Sequence, residues 1–349
     1  MNKTPTGPRL FFWICRYFRM IAGILISLAC LGYMTSQIDF ASVRHAVVRF
    51  EWPYLLFGLS SLAFGYAARV LRWTVMLRST GAQVSISKCA GAFMGSMALN
   101  NALPARLGDM VRALVFPAAL GLTKAASAGS LVLERLIDLL SILSFLAAGL
   151  AATEKVELPT GLRMSVLLLA AGATVALIVI IRWSKAFAER LQRPTLRTCG
   201  RSDKATRRVL KAFVLLFSSF DAMSRPAVLV VVFFLSILAW AGEAGLFWAL
   251  LIGFGFPANV SSGVLVMAIT ALATLIPLSP GYVGPFHLGA YAAVSFMGGT
   301  SDQAASFAVL AHASFWLPTT AIGGLAILVN PRLFSAAKAS INRRSSQRT

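Results

Sequence analysis

The chain has 349 residues, 58% of them hydrophobic and 13% charged, with a net charge of +20 and a mean hydropathy of +0.76. A soluble domain holds about 45–50% apolar and about 25% charged residues. This composition therefore excludes a single water-surrounded core and makes the lipid-spanning helix of about 20 residues the unit of description. The basic balance does not imply nucleic acid, because Lys and Arg fall between apolar runs and at their ends, as the positive-inside rule distributes them.

In chain order, Arg9, Arg16 and Arg19 precede an apolar run, Met20–Ile38, which as a helix is about 28 Å long. That exceeds a signal-peptide core. Ser27-Leu28-Ala29-Cys30 is only faintly like a lipoprotein cleavage site, since Ser27 stands where a large aliphatic residue is required. An uncleaved first helix is expected. Further clear spans are Tyr54–Leu77, Ser127–Ala152, Met164–Ile181, Ala227–Ile252 and Phe307–Val329. Two other regions are apolar but interrupted. Lys88 to Leu120 contains Asn100, Asn101, Pro104, Arg106, Gly108 and Asp109. Ser261 to Met297 contains Pro277, Pro280, Gly281, Gly284, Pro285 and His287. Proline removes a backbone donor and biases the preceding residue out of helix, so neither region reads as one continuous helix. The expected fold is all-α: a polytopic helical membrane bundle of six clear spans plus two broken or re-entrant helix pairs.

Orientation follows from the basic residues. Residues 1–19 carry four, Arg78, Lys88 and Lys124 add three, residues 182–225 carry eleven and residues 332–349 carry five. The alternate segments are poor: two each in 37–51 and 153–163, none in 253–262 or 298–306. The first set is expected in the cytoplasm. Parity then makes each interrupted region start and end on one side, the first inside and the second outside, an inverted arrangement. The expected organisation is a cytoplasmic segment 1–19, a transmembrane domain 20–330 with a basic cytoplasmic loop 182–225, and a cytoplasmic tail 331–349, in a bacterial cytoplasmic membrane. Cys15, Cys30, Cys89 and Cys199 are scattered and are expected as free thiols.

Ionisable residues within spans cost about 2.5–3.5 kcal/mol each on insertion scales and so mark structure or function. Glu134 and Asp138 share a helix face with Arg135 between them, and this trio is expected to neutralise itself. Arg69 and Arg72 stand near a span's cytoplasmic end and are expected to snorkel. Glu243 requires a partner from another helix or a water-filled cavity. Broken segments in corresponding positions of oppositely oriented halves point to a midplane binding site. Free amides at half-helix N-termini favour an anion, and Arg106 adds a planar fork suited to phosphate. The candidate substrate-binding residues are Asn100, Asn101, Arg106, Asp109, Arg112, Glu134, Arg135, Asp138, Ser279, Gly281, Gly284 and His287. No metal-ligand spacing, nucleophile–base pair or cofactor motif stands out, no Gly-x-x-x-x-Gly-Lys-Ser/Thr run is present, and no enzyme activity is expected.

The segments Asn100-Asn101-Ala102-Leu103-Pro104-Ala105-Arg106-Leu107-Gly108-Asp109-Met110-Val111-Arg112, Glu134-Arg135-Leu136-Ile137-Asp138 and Pro277-Leu278-Ser279-Pro280-Gly281-Tyr282-Val283-Gly284 resemble, in order and spacing, the motifs of the lysylphosphatidylglycerol synthase transmembrane (flippase-like) family. The resemblance covers roughly residues 15 to 335. It implies the flippase-like membrane part, without the cytosolic aminoacyltransferase domain that the phospholipid synthases of that family carry. Family members often have an acidic or amide side chain near the position of His287, so the resemblance carries over no cationic headgroup. The expected function is binding and translocation of a lipid with a phosphate headgroup. The expected partners are anionic membrane lipids and, as a candidate protein partner, a lipid-biosynthesis enzyme. The alternatives are a secondary transporter of a small polar solute, or an accessory subunit of an envelope-lipid pathway such as hopanoid synthesis.

Overall fold

The structure is a computed structural model and describes residues 48–103, 106–152, 160–197, 204–275 and 279–331, together with Gly32. Apart from Gly32 and Pro331, the expected first span Met20–Ile38 and both terminal segments lie outside the described residues, as do Cys15, Cys30 and Cys199. Among those described, all regular structure is helical: α1 Trp52–Ser79, α2 Ile86–Ala102, α3 Leu107–Leu114, α4 Phe116–Leu120, α5 Lys124–Ala151, α6 Thr160–Arg197, α7 Lys204–Met223, α8 Pro226–Gly253, α9 Val260–Ala273, a 3-10 turn Pro280–Tyr282, α10 Pro285–Phe296 and α11 Ser301–Val329.

The helix starts follow local chemistry. Ser85, Thr123, Asn259 and Thr300 accept hydrogen bonds from backbone N–H groups in the first turns of α2, α5, α9 and α11, which satisfies donors that have no intrahelical partner. Proline opens α1, α4, α8 and α10, where its missing N–H costs nothing. At the end of α1, Arg78 Nε and Nη2 donate to the Val84 carbonyl at 3.0 and 2.9 Å, holding the turn into α2.

Among the described residues, four helical segments are long and apolar enough to cross a membrane: Trp52–Ser79, Leu167–Arg190, Pro226–Gly253 and Ser301–Val329. They correspond to four of the expected spans. The fifth, Ser127–Ala152, forms most of the 28-residue α5, which carries the Glu134, Arg135 and Asp138 charges. Leu167, Leu168 and Val175 on α6, Phe233 and Phe234 on α8 and Leu325 and Leu328 on α11 are exposed, the outward apolar surface that lipid covers. The inner core joins Trp73, Phe93, Phe247 and Phe307, each at most 1% exposed.

α1 and α8 cross where side chains are smallest. A Cβ on Gly242 would lie 2.6 Å from the Ser61 carbonyl and 2.7 Å from the Gly65 Cα, and Ser61 Oγ donates to the Gly242 carbonyl at 2.9 Å. Small residues allow such close approach, and it is how helices associate in lipid. Both interrupted regions fold as hairpins. α3 turns back on α2, with Gly108 packed onto the Ser96 carbonyl and Asn100. α10 turns back on α9, with Gly289 against Ala273 and Thr270.

The basic segment 182–225 is not a loop where it is described. α6 continues through Arg197, and α7 begins at Lys204. The reason is amphipathicity. Leu216 and Phe220 pack against Gly129 of α5, and Phe187 of α6 stacks on Phe217 of α7 with ring centroids 5.3 Å apart. These apolar faces give a basic helical hairpin something to fold on. Cys89 is a buried free thiol.

Candidate functional site

The two interruptions meet. Among the described residues, Arg106 (φ 50°) and Tyr282 (φ 61°) are the non-glycine residues with left-handed backbone, one in each break. The Arg106 guanidinium lies over the Tyr282 ring, 5.4 Å from its centroid, and its Nη2 donates to the Thr274 carbonyl at 3.1 Å. A left-handed non-glycine residue costs about 1–2 kcal/mol, so both breaks hold strained backbone at the same contact. Gly281, at φ 60°, sits close enough that a Cβ would lie 3.0 Å from the Asn101 carbonyl and 2.7 Å from Trp316 Nε1. Pro104, Pro277 and Leu278 lie outside the described residues.

At this junction a cavity of about 100 Å³ opens. Arg69, Arg106, Glu134, Arg135 and Glu243 give it charge, Asn100 and Asn101 add amides, and Tyr66, Trp240, Tyr282 and Phe286 form aromatic walls. Of the residues singled out from sequence, Asn100, Asn101, Arg106, Glu134 and Arg135 line it. Asp109, Arg112 and Asp138 form a layer of ion pairs behind it. Ser279, Gly281, Gly284 and His287 belong to the second break without lining the cavity.

The amides are used structurally. Asn100 Nδ2 donates to Asp109 Oδ1 and its Oδ1 accepts from Asp109 N–H, both at 3.0 Å, which locks α3 onto α2. Asn101 Nδ2 donates to Thr319 and Thr320 of α11 at 3.0 and 2.9 Å. Ser279 is buried, and its hydroxyl has no hydrogen-bond partner among the described residues. Gly284 N–H donates to His287 Nδ1 at 3.4 Å.

The charges pair differently from the sequence expectation. Arg135 does lie between Glu134 at 3.4 Å and Asp138 at 3.9 Å, but each carboxylate takes its shortest bond from an arginine outside the trio. Asp138 binds Arg72 through two bonds, Nη1 to Oδ1 at 2.6 Å and Nη2 to Oδ2 at 3.2 Å, and accepts from Trp240 Nε1 at 3.1 Å. Glu134 accepts from Arg112 Nη2 at 2.9 Å, beneath the rings of Phe93 and Trp73. Arg135, with a side chain 39% exposed, reaches Asp109 at 3.1 Å and Glu134 at 3.4 Å from its position on the cavity wall. Arg72 does not snorkel: its side chain is 0% exposed, because Asp138 and the Ser236 hydroxyl at 2.8 Å offer in the bundle what water would offer at the interface. Arg69 likewise turns inward, binding Glu243 of α8 at 2.5 Å with its guanidinium 4.5 Å from the Trp240 ring centroid. Glu243 thus has the interhelical partner it required.

Five arginines (Arg69, Arg72, Arg106, Arg112, Arg135) therefore face four carboxylates (Asp109, Glu134, Asp138, Glu243). Among the described residues no carboxylate lies within 4 Å of Arg106, whose Nε is also buried without a partner. Tyr66, Arg69, Trp240, Glu243 and Tyr282 were missed as site residues. Arg69 and Glu243 carried a signal, as charges inside apolar segments. Their approach across 174 positions and the aromatic walls carried none.

Over 348 residues the chain is 26% identical to a protein of Haloferax volcanii named Glycosyltransferase AglD, covering 91% of this chain and 55% of that relative. The chain thus spans about half the length of the curated relative it matches. That similarity overturns the expectation that no enzyme activity is involved, which rested on seeing no nucleophile–base pair or metal cluster. Residues 20–323 match the family described as "Lysylphosphatidylglycerol synthase TM region", and the chain belongs to that family.

Proposed function

We propose that this membrane domain binds a lipid by its phosphate headgroup in the cavity between the two breaks and passes it from one leaflet to the other. The observation that carries this reading is Arg106, a guanidinium on the cavity wall with no carboxylate partner among the described residues. A phosphate crossing hydrocarbon unaided would face a desolvation cost of many kcal/mol. A planar guanidinium fork lowers that barrier, with Arg69 and Arg135 beside it, while the acyl chains stay in the bilayer.

The surroundings support a midplane site reached by two re-entrant hairpins of opposite orientation. α2 has 17 residues and α9 has 14, so at about 1.5 Å per residue each is shorter than the roughly 30 Å hydrocarbon core. The basic-residue distribution supports cytoplasmic termini and a cytoplasmic membrane location.

The name of the Haloferax relative favours a second reading, in which the same cavity holds a phosphate-linked lipid for glycosyl transfer. The two separate experimentally. In liposomes with labelled anionic and polyprenyl-phosphate lipids, the wild type is expected to accelerate transbilayer movement. Arg106→Lys, which keeps the charge but loses the fork, should slow it, and Arg106→Ala should abolish it. No movement above protein-free vesicles across that panel would sink translocation. Sugar transfer from labelled nucleotide sugars under the same conditions would then favour the second reading.

A further inference from the structure

Behind the second break, two imidazoles lie against each other. The ring centroids of His287 on α10 and His312 on α11 are 4.5 Å apart, with the planes at 48°. Phe286, on the cavity wall, packs against both. Backbone groups of the break fix their protons. His312 Nε2 is 2.8 Å from the Gly281 carbonyl oxygen. A carbonyl only accepts, so Nε2 carries hydrogen, and Nδ1 is the basic nitrogen of the neutral ring. His287 Nδ1 accepts from Gly284 N–H, so that ring is the same Nε2–H tautomer, but with its basic nitrogen already engaged. His312 Nδ1 therefore takes up a proton without giving up the Gly281 bond, whereas protonating His287 Nδ1 breaks the link to Gly284. Two imidazolium rings this close repel each other, so the pair holds one added proton.

The charges around the pair decide when that proton is welcome. Tyr282 and Arg106 stand at the break, Tyr291 on α10, Tyr66 and Arg69 on α1 and Glu243 on α8. Glu243 is bound to Arg69. No carboxylate lies within 4 Å of either imidazole among the described residues. A protonated pair thus lacks a counter-charge until an anion enters the cavity.

We infer that the His287–His312 pair is a proton site linked to the cavity: an anionic headgroup arriving beside Arg106 draws one proton from water onto His312 Nδ1, so that headgroup and proton are bound together. The inference rests on the phosphate-lipid reading above. The only bond made is N–H, and the proton's charge offsets that of the phosphodiester. Linkage is reciprocal, so headgroup binding strengthens as pH falls. With one proton taken up, affinity changes about tenfold per pH unit across the window in which the free pair is neutral and the occupied pair is charged.

The test uses the full chain in a neutral maltoside detergent, titrated calorimetrically with dihexanoyl phosphatidylglycerol, whose phosphodiester stays ionised throughout. Buffers of different ionisation heat report the protons taken up per lipid bound. Wild type is expected to take up about one proton per lipid and to bind about tenfold more weakly per unit rise in pH. His312→Gln keeps an amide donor for the Gly281 carbonyl and should bind with no uptake and no pH dependence. His287→Asn keeps an acceptor for Gly284 N–H and should retain the uptake. The chain has three histidines, so 15N shifts of the wild type also identify the nitrogen that gains hydrogen, whether or not a variant folds. Binding without proton uptake, or uptake that persists in His312→Gln, overturns the inference and leaves the lipid reading intact. No binding by the wild type overturns both.

Discussion

Arg72 sits in the driest part of the charge cluster, and removing it tests whether that cluster is buried in the bundle or solvated. Its side chain is 0% exposed and that of Asp138 is 5% exposed. Arg72→Ala takes away both bonds to Asp138, the bond to Ser236 and a 3.6 Å contact with Glu134. Asp138 then keeps Trp240 Nε1–H at 3.1 Å and Arg135 at 3.9 Å, too little to hold a buried carboxylate charge. Breaking one side of a buried pair costs about 3–5 kcal/mol. Arg135→Ala removes a side chain that is 39% exposed, and a screened pair is worth of the order of 1 kcal/mol. At about 2 °C per kcal/mol, Arg72→Ala should melt at least about 6 °C below wild type in detergent, and Arg135→Ala within about 2 °C of it. Arg72→Met, which restores volume but not charge, should be nearly as unstable as Arg72→Ala. Arg72→Met with Asp138→Leu should recover much of the loss, because replacing both partners removes the unpaired charge. Equal melting of Arg72→Ala and Arg135→Ala would refute the reasoning and mean that water reaches the whole cluster.

Two further outcomes follow from backbone geometry. Arg106→Gly relieves a left-handed residue that costs about 1–2 kcal/mol, set against about 0.5–1 kcal/mol of added chain entropy in the unfolded state; thermal melting should be unchanged or slightly raised while lipid movement in liposomes is lost. Gly242→Val drives side-chain atoms into Ser61 and Gly65 across the α1–α8 crossing and should lower the yield of monodisperse protein in size-exclusion chromatography. Gly324→Ala, with nothing within 4 Å, should leave that yield unchanged.

Hydropathy alone placed the long helices, because a spanning run writes its period and length directly into the sequence. The breaks were equally legible: the proline and glycine clusters after Asn101 and after Leu275 fall where α2 and α9 end. The charge pairing was not. Arg69 and Arg72 near a helix end read the same whether they snorkel to headgroups or turn inward, and the deciding partners, Glu243 and Asp138, lie 174 and 66 positions away. The helical continuation from α6 into the basic segment was hidden for a related reason. Charge density argued for water, while a thin apolar face, with Phe187 meeting Phe217, was enough to fold it. The cavity's aromatic walls were unreadable because Tyr66, Trp240 and Tyr282 look like ordinary bundle residues until the two breaks bring them together.

The pairing also divides the work between two layers. The deep layer joins Arg72 with Asp138 and Arg112 with Glu134 at side-chain exposures of 5% or less. Its ions satisfy one another, and their geometry fixes α1, α3 and α5 in place. The cavity layer contains Arg69, Arg106 and Arg135, held by one carboxylate, one carbonyl oxygen and a partly exposed pair respectively. A ligand oxygen competes poorly for the deep guanidiniums, because displacing them would leave buried carboxylates bare. It competes well for Arg106, whose Thr274 carbonyl is a neutral acceptor and whose second face rests on the Tyr282 ring. An ionised oxygen adds a full opposite charge to the bond that the guanidinium makes with a neutral carbonyl. The strain at Arg106 and Tyr282 fits this division. A relaxed helical start at Arg106 would change the direction in which its side chain leaves the backbone, and the left-handed turn sets that fork at the meeting point of the two breaks. The deep ion pairs, rather than local propensity, hold it there.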